Sequence, residues 1–476
     1  MLPLQHAVVP TAPLARGRQW PRRGALALAS ALLLAACGGG GGSGSSGTGN
    51  AEDGASPPPV AGCSVAEQKT WLGDYMREWY FWYRLAPNPD AAASGSLAEY
   101  FQSLLYRGGN AEFPTDRWSR SESTESFNRF FGEGRSMGYG LAVAGLEVVG
   151  QPEQPLRVRS VEPQSDAAAK GIRRGDQVLS LNARPAAELI RDNDFTLLSA
   201  EREGQALALV LRDAAGAERS VMLTASIFAL TPVPGATVLA TPQGRRIGYV
   251  QANQMITQAQ APLAAAFRQF QEQGVADVVL DLRYNGGGLV SVAGTMASHV
   301  VGARVAGSTF TRLLYNDRRA ATNNQTFAFT QPQPALGLSR VFVLAGRRSC
   351  SASELLVNGL LPFAQVVVIG ETSCGKPVGF LPSSQCGSTY SVVNFEGVNA
   401  RGEGRYWDGL PATCAVPEDF TRPLGAPGEP LLDAARSYAD SGVCPPLATA
   451  QAMPLMAPRA RPTRSEPGDR QQMLAR

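Results

Sequence analysis

The stretch from Gly346 to Lys376 reads GRRSCSASELLVNGLLPFAQVVVIGETSCGK, and the rest of the predicted core is arranged around it. The apolar run at 341–345 is typical of a buried strand, and three leucines at helical spacing follow the turn. A second apolar run at 366–369 leads into a glycine-bounded loop that carries Lys376. A serine at a strand-to-helix turn exposes its hydroxyl next to free N–H groups of the first helical turn. The stretch therefore predicts a nucleophile beside oxyanion donors, as acyl transfer requires.

The base that could activate such a serine follows from what the chain lacks. The chain has two histidines, His6 and His299; the first lies in a segment predicted to be removed, and the second lies in an apolar helical stretch that favours a structural role. The same scarcity excludes zinc sites that need several histidines. Only three of the 43 lysine and arginine residues are lysines, at 69, 170 and 376. A buried lysine can lose its proton near neutral pH, whereas arginine cannot, so the pattern favours a Ser/Lys pair.

These motifs resemble those of the carboxyl-terminal processing peptidases, which are Ser/Lys proteases that carry a PDZ domain. The matching residues are the Ser-Ala-Ser-Glu sequence at 351–354 and a lysine 25 residues after its first serine, in the context GET-x-x-GK. The resemblance implies that Ser351 is the nucleophile and Lys376 is the base. The sequence DLRYNGGG at 281–288 matches the family's other signature. The resemblance implies that this turn, through Gly286 and Gly287, supplies one oxyanion N–H group and that Ala352 supplies the other.

One position departs from the family pattern. The family often has a glutamine four residues after the lysine, where it orients the base, but this chain has Phe380 there. Ser384 and Gln385 lie nearby in sequence, and nothing in the sequence shows that either reaches Lys376. The departure leaves the third catalytic residue open and does not affect the predicted pair.

The composition indicates an exported globular protein of several domains. The chain has 476 residues, of which 44% are hydrophobic and 17% are charged. Its formal charge of +3 depends on four arginines near the start, and the remainder is close to neutral, so no nucleic-acid partner is indicated. An apolar run at 25–36 follows those arginines, as in a signal peptide.

The residue after this run predicts a lipid anchor. Cys37 directly follows Leu-Ala-Ala, which resembles a bacterial lipobox and implies a lipidated mature N-terminus. The alternative is an ordinary secretory signal followed by an incidental cysteine. The next residues are almost entirely Gly, Ser, Thr and Ala, as in a flexible tether. Because Gly38 is not aspartate, the expected location is the outer membrane facing the periplasm, with the membrane as a partner.

A β-rich segment resembles a PDZ domain. Its strands, a short alanine-rich helix ending in glycine, and a Gly-Asp pair before an apolar strand carry the resemblance. The resemblance implies that the loop formed by Gly138, Tyr139, Gly140 and Leu141 binds a terminal carboxylate through backbone N–H groups, while the peptide adds as a strand. The alternative is a PDZ fold whose groove binds nothing.

The fold class predicted from these features is a multidomain α/β protein. Its six segments are a signal peptide at 1–36, a lipid-anchored Gly/Ser linker at 37–62, a helical cap at 63–134, a PDZ domain at 135–228, an α/β crotonase-like Ser/Lys peptidase core at 229–445 and a disordered tail at 446–476.

The cysteines other than Cys37 form an even set, which favours disulfides in an oxidising compartment. We expect Cys374 to pair with Cys386 and Cys414 to pair with Cys444, because each bond closes a local loop. The first bond would fix the loop of Lys376 in place of the missing glutamine. The rival pairing joins Cys350 to Cys374.

The function predicted from these features is a serine endopeptidase that cleaves exported proteins and recognises their C-terminal tails through an acyl-enzyme mechanism. Its expected partners are proteins or peptides with free C-termini, and the resemblance implies neither a metal nor an organic cofactor. The alternative is a non-catalytic lipoprotein that uses the same fold to bind peptides or other ligands.

Overall fold

The protein is described by a computed structural model that covers residues 62–110, 112–446 and 472–475. The predicted signal peptide, Cys37 and most of the predicted Gly/Ser linker lie outside these residues, so these three assignments remain predictions. The described chain has a mixed α/β fold. Among its helices, none combines the length and the apolar character needed to cross a bilayer.

The described helices begin and end as follows: α1 Val65–Trp79, α2 Leu97–Ser103, α3 Thr124–Phe131, α4 Gly145–Val148, α5 Asp166–Ala169, α6 Ala186–Asp192, α7 Gln260–Glu272, α8 Val290–Val305, α9 Ala320–Asn323, α10 Ala352–Leu360 and α11 Pro430–Ser441. Short 3-10 turns occur at Ala91–Ala93, Thr196–Leu198 and Thr257–Ala259.

The described strands are β1 Arg120–Ser123, β2 Arg135–Gly138, β3 Leu141–Val143, β4 Leu156–Val161, β5 Gln177–Leu181, β6 Arg184–Pro185, β7 Ala206–Arg212, β8 Glu218–Thr224, β9 Ser226–Ala229, β10 Gly235–Ala240, β11 Arg246–Gln251, β12 Asp277–Asp281, β13 Gly287–Leu289, β14 Thr309–Tyr315, β15 Gln325–Ala328, β16 Arg340–Ala345, β17 Gln365–Gly370, β18 Val378–Phe380, β19 Ser383–Gln385, β20 Ser388–Ser391, β21 Val393–Val398, β22 Cys414–Ala415 and β23 Gln472–Leu474.

The central sheet brings the ends of three motif-bearing strands to one edge. Its order is β10-β11-β12-β16-β17-β22, and every pair except β10 with β11 is parallel. The glycine turn follows β12, the Ser351 turn follows β16 and the Lys376 loop follows β17. Because these neighbouring strands are parallel, their carboxyl ends lie together, which is where α/β sheets commonly place their sites.

The N-terminal helices pack onto the core instead of forming a separate body. Helix α2 opens with the predicted capping box, in which Ser96 Oγ accepts from Glu99 N at 3.1 Å and Glu99 Oε2 accepts from Ser96 N at 3.0 Å. The aromatic side chains that follow α1 share one hydrophobic cluster with Phe380 and the helices of the core. The ring centroids of Trp82 and Trp118, for example, lie 6.0 Å apart, and both rings pack near Trp407.

The β-rich unit has its own hydrophobic core. Strands β3-β4-β5-β7-β8 form a sheet with β6 paired to β5, and β2 pairs with β9 beside it. Its buried side chains, which include Val143 and Leu181, form a cluster separate from that of the α/β core. Strand β3 lies at an edge of the described sheet. The assignment of this unit to the PDZ fold stays a prediction.

The disorder predicted for residues 446–476 is wrong for Gln472–Leu474, which form strand β23. Strand β23 joins a second sheet, whose order is β13-β23-β18-β21-β14-β15. The Pro- and Arg-rich composition of the whole segment concealed this short apolar piece, Met473-Leu474.

Candidate active site

Ser351 lies at the start of α10 in a backbone conformation that is unusual for its residue type. Its φ is +65° and its ψ is −115°, and its side chain has no exposed surface. Holding a non-glycine residue in such a region costs on the order of 1–3 kcal/mol, which surrounding contacts must offset. Among the described residues, no group forms a hydrogen bond with its Oγ. The turn therefore presents a hydroxyl whose hydrogen-bonding capacity is unused.

Glu354 connects the serine turn to the lysine loop. Its Oε2 accepts from the backbone N–H groups of Ser351 and Lys376, both at 2.8 Å. Its Oε1 accepts from Gly375 N at 2.7 Å and from Ser373 Oγ at 2.5 Å. Burial raises the pKa of Glu354, and these donors act in the opposite direction. Glu354 belongs to the Ser-Ala-Ser-Glu motif, but this role could not be predicted from the sequence, because three of its four partners lie about twenty residues away.

Lys376 is buried against the ring that replaces the family's glutamine. It has no exposed surface, and its Nζ lies 3.9 Å from the ring centroid of Phe380. Burial lowers the pKa of Lys376 well below its ordinary value, and the positive charge of Arg120 lowers it further. The guanidinium of Arg120 lies 5.4 Å from the same ring centroid. A lysine in this environment can be neutral at working pH, as a general base must be.

The glycine turn is joined to the serine turn by Asn285. The backbone O of Asn285 accepts from Cys350 N at 3.1 Å and from Ser353 Oγ at 2.9 Å. Its side-chain Oδ1 accepts from Gly287 N at 2.8 Å. The Gly287 N–H group is therefore already used within the turn, and the predicted oxyanion role of Gly287 does not fit this conformation. Gly286 and Ala352 remain as the predicted donors.

The disulfides correct one of the two predicted pairings. Cys414 pairs with Cys444 as predicted. The predicted bond between Cys374 and Cys386 is wrong: Cys374 pairs with Cys350, and Cys386 pairs with Cys63 across 323 residues of sequence. The preference for local loops failed because tertiary folding brings the α1 entry beside β19. The Cys350–Cys374 bond, with a Cα separation of 5.2 Å, joins the residue before Ser351 to the loop of Lys376.

The cluster of Cys350, Cys374 and Glu354 has ligand atoms within 4.8 Å of one another, a spacing that could suit a metal. Both sulfurs are bonded to each other, and the carboxylate oxygens accept from the N–H and hydroxyl groups described above. These atoms are committed to holding the two loops together.

The β-rich unit contacts the segment before Ser351 and the glycine motif. Arg348, three residues before Ser351, forms a two-bond ion pair with Glu147 of α4 at 2.9 and 3.0 Å. Arg174 donates to the Tyr284 hydroxyl of the glycine motif at 2.6 Å. These contacts could not be predicted from the sequence, because their partners are far apart in the chain and no local pattern marks them. They connect the predicted peptide-binding unit to the predicted site.

The predicted carboxylate-binding loop lies between β2 and the edge strand β3. Gly138 ends β2, Leu141 begins β3, and Gly140 has a φ of +73°. A Cβ at Gly140 would lie 2.0 Å from Cβ of Ser165, so only glycine fits there. The loop belongs to the β-rich unit, whereas Ser351 and Lys376 belong to the core.

His299 lies apart from these residues, inside α8. It is buried, and its ring stacks on that of Phe267 with the centroids 4.8 Å apart. Its Nδ1 donates a hydrogen bond to Pro334 O at 2.6 Å. Burial lowers the pKa of His299, and the hydrogen bond to Pro334 acts in the opposite direction. The structural role indicated by its apolar surroundings agrees with this position.

Comparison with known proteins finds two segments of the chain that are similar to one peptidase family. Residues 246–393 match peptidase family S41, and residues 67–120 match the peptidase S41 N-terminal domain. The carboxyl-terminal-processing protease of Picosynechococcus sp. is 27% identical over 237 residues, which are 50% of this chain and 54% of that protein. The carboxy-terminal processing protease CtpA of Bacillus subtilis is 24% identical over 360 residues, or 75% of this chain and 69% of that protein.

A solved structure shares the fold. It is a protein of Bacteroides fragilis assigned to the S41 proteases, with a TM-score of 0.60 and 24% identity, and the match covers 78% of this chain and 97% of that one. The two matched segments and the carboxyl-terminal processing proteases among the relatives support a serine peptidase of the carboxyl-terminal processing peptidase family. The chain spans about half the length of several curated relatives that it matches.

Proposed function

We propose that the protein is a serine endopeptidase in which Ser351 is the nucleophile and Lys376 is the base, and that it cleaves exported proteins through recognition of their C-terminal tails. The observation that carries this proposal is the shared attachment of both residues to Oε2 of Glu354. This attachment and the Cys350–Cys374 bond hold the two segments together from different strands of the sheet.

The reaction proceeds through a covalent acyl-enzyme. Neutral Lys376 Nζ takes the hydroxyl proton of Ser351 as Oγ bonds to the scissile carbonyl carbon. The N–H groups of Gly286 and Ala352 donate to the resulting oxyanion. The Lys376 ammonium then protonates the leaving amine as the C–N bond breaks. Water attacks the acyl-enzyme with Lys376 again as base, and the returning proton frees the Ser351 hydroxyl.

Phe380 changes how the lysine is oriented. An orienting glutamine would hold Nζ by a hydrogen bond, whereas an aromatic ring supplies packing and a face that attracts a cation. The backbone of the lysine loop is held by Glu354 and by the disulfide. In this proposal these backbone attachments replace the missing glutamine.

The β-rich unit would select the substrate. In this proposal the N–H groups of the 138–141 loop bind the terminal carboxylate, and the peptide pairs with the edge strand β3. Amidation of the C-terminus should then raise KM for substrates that are recognised by their tails. It should leave the cleavage of short generic peptides unchanged. Equal cleavage of free-acid and amidated substrates would remove this role.

The proposed location is the cell envelope of a bacterium, with Cys37 as a lipid anchor in the outer membrane. It rests on the lipobox-like sequence and on the disulfides, which suit an oxidising compartment. Cys37→Ala should move the protein from the detergent phase to the aqueous phase. Unchanged partitioning would leave only an ordinary signal peptide.

Peptide hydrolysis tests the catalytic proposal. Ser351→Ala and Lys376→Ala should each abolish turnover while leaving the circular dichroism spectrum intact. Lys376→Arg should also fail, because arginine keeps the charge and cannot act as a base. Lys170→Arg is the matched control, since Lys170 pairs with Asp166 at 3.0 Å in the β-rich unit. Near-normal turnover by Lys376→Arg would contradict the assignment of the base.

A further inference from the structure

Residues 472–475, which we call the distal segment, lie between two strands that adjoin the predicted catalytic groups. Strand β23 runs parallel to β13, with Gly287 opposite Gln472 and Leu289 opposite Leu474. On its other side it pairs in parallel with β18, where Phe380 lies opposite Leu474. Ala475 N donates to Phe380 O at 3.2 Å. The segment thus fills a gap between the glycine turn and the lysine loop.

The distal segment is tightly enclosed. Met473 and Leu474 have no exposed surface, and Ala475 is 9% exposed. The chain approaches β18 closely: a Cβ at Gly379 would lie 2.7 Å from Met473 O. Met473 Sδ lies 3.7 Å from the position that a Cβ would take at Gly397. The side chains of Met473 and Leu474 are therefore fully enclosed by the surrounding protein.

With the distal segment in place, the catalytic groups are closed off. Ser351 and Lys376 have no exposed surface. An extended substrate cannot reach the Oγ of Ser351 until some part of the protein moves. Strand β23, which separates β13 from β18, is joined covalently to the rest of the chain through residues 447–471 and is not a strand of the central sheet. It can therefore leave without breaking the central sheet.

The contacts of the distal segment are those by which proteins bind peptides as added strands. Main-chain pairing supplies affinity without regard to sequence, and pockets for individual side chains supply selectivity. If the segment leaves, β13 and β18 present unpaired backbone groups to each other across a gap one strand wide. Such a gap would accept another extended peptide of similar side chains.

We propose that the gap between β13 and β18 is the substrate groove and that the chain's own distal segment occupies it as an inhibitor. The groove accepts an extended peptide that runs parallel to β13 and places apolar side chains at the Met473 and Leu474 positions. The inhibitory part rests on the proposed peptidase function. The groove itself can be tested by binding alone. A tethered segment competes at an effective concentration in the millimolar range, so its removal should strengthen binding of an added peptide by about tenfold or more.

The test uses the full chain with Ser351→Ala, which prevents cleavage during the measurement. The probe is a fluorescent peptide of sequence DRQQMLAR, which copies residues 469–476. Adding Met473→Asp and Leu474→Asp should lower the Kd for the probe about tenfold or more. The matched control places the same two changes at Leu455 and Met456, outside the described residues, and should leave the Kd unchanged. Equal Kd values in all three proteins would overturn the proposal.

A second variant covers the case in which the aspartates prevent folding. A chain that ends after residue 471 should show the same gain in affinity and a circular dichroism spectrum like that of the parent. In proteins with Ser351 intact, either change should raise kcat/KM for peptides by a similar factor. A gain in binding without any hydrolysis would support the groove and contradict the peptidase function. Hydrolysis without a gain in binding or rate would contradict the groove alone.

Discussion

Ser351 and Lys376 donate their backbone N–H groups to the same oxygen of Glu354, each at 2.8 Å. One carboxylate thus sets the spacing of two segments that follow different strands of the sheet. Such a bridge can hold the predicted nucleophile and base in register without touching the substrate.

Glu354→Ala should lower kcat by about a hundredfold or more, because both loops lose their common acceptor and small displacements in a site are costly. Glu354→Gln keeps one acceptor oxygen and should recover part of the loss, while KM changes little. Glu371→Gln, on the exposed start of the lysine loop, is the matched control. A kcat near that of the parent in Glu354→Ala would show that the bridge has no positioning role.

Arg120→Gln should move the acid limb of the pH profile of kcat/KM to higher pH. The positive charge of Arg120 lowers the pKa of Lys376, so its removal raises that pKa. Because the base must be neutral, activity appears only above the pKa, and the variant should lose activity first at the acid end. Arg212→Gln, in the β-rich unit, is the control. An unchanged or lower acid limb in Arg120→Gln would contradict this electrostatic link.

Lys376→Met should abolish hydrolysis and yet stabilise the fold. The pKa of Lys376 is lower in the folded protein than in the unfolded chain, so the unfolded chain binds more protons and stability rises with pH. Between the two pKa values, the cost of burying the lysine grows by about 1.4 kcal/mol for each pH unit of decrease. The gain in free energy of unfolding should therefore be larger at pH 7 than at pH 9. Denaturant titrations at both values measure it, and an equal gain would mean that the folded lysine stays charged.

Replacing Cys350 and Cys374 by serine should reduce both activity and stability. The bond spans 24 residues of sequence, and the chain-entropy estimate for such a loop is about 3 kcal/mol. The matched control replaces Cys414 and Cys444. Their bond spans 30 residues of sequence and does not involve the residues next to Ser351 or the lysine loop. Both pairs should lower the free energy of unfolding, but only the first should lower kcat. Equal kcat values in the two variants would show that the bond near Ser351 serves stability alone.

The parts of the fold that follow local patterns could be predicted from the sequence. The apolar runs before Ser351 and before the lysine loop became β16 and β17, because strands of a parallel sheet are buried on both faces and read as continuous apolar runs. Helix α10 likewise begins directly after Ser351.

The features that sequence did not predict depend on distant partners. The bond between Cys63 and Cys386 joins residues 323 apart, and local spacing carries no information about such a pair. The donors that bind Glu354 come from another loop, and Arg348 meets Glu147 across 201 residues. The distal strand was missed because its apolar residues are few and follow a Pro- and Arg-rich stretch.

Labelling by a fluorophosphonate probe reports whether Ser351 is a nucleophile activated by Lys376. The probe should add one mass equivalent, which peptide mapping should assign to Ser351, and the adduct should be lost in Lys376→Ala. The measurement should include the protein with Met473→Asp and Leu474→Asp, so that an occupied groove does not hide a reactive serine. Absence of labelling in both proteins would favour a binding protein built on the same fold, and labelling unaffected by Lys376→Ala would show that Lys376 does not activate Ser351.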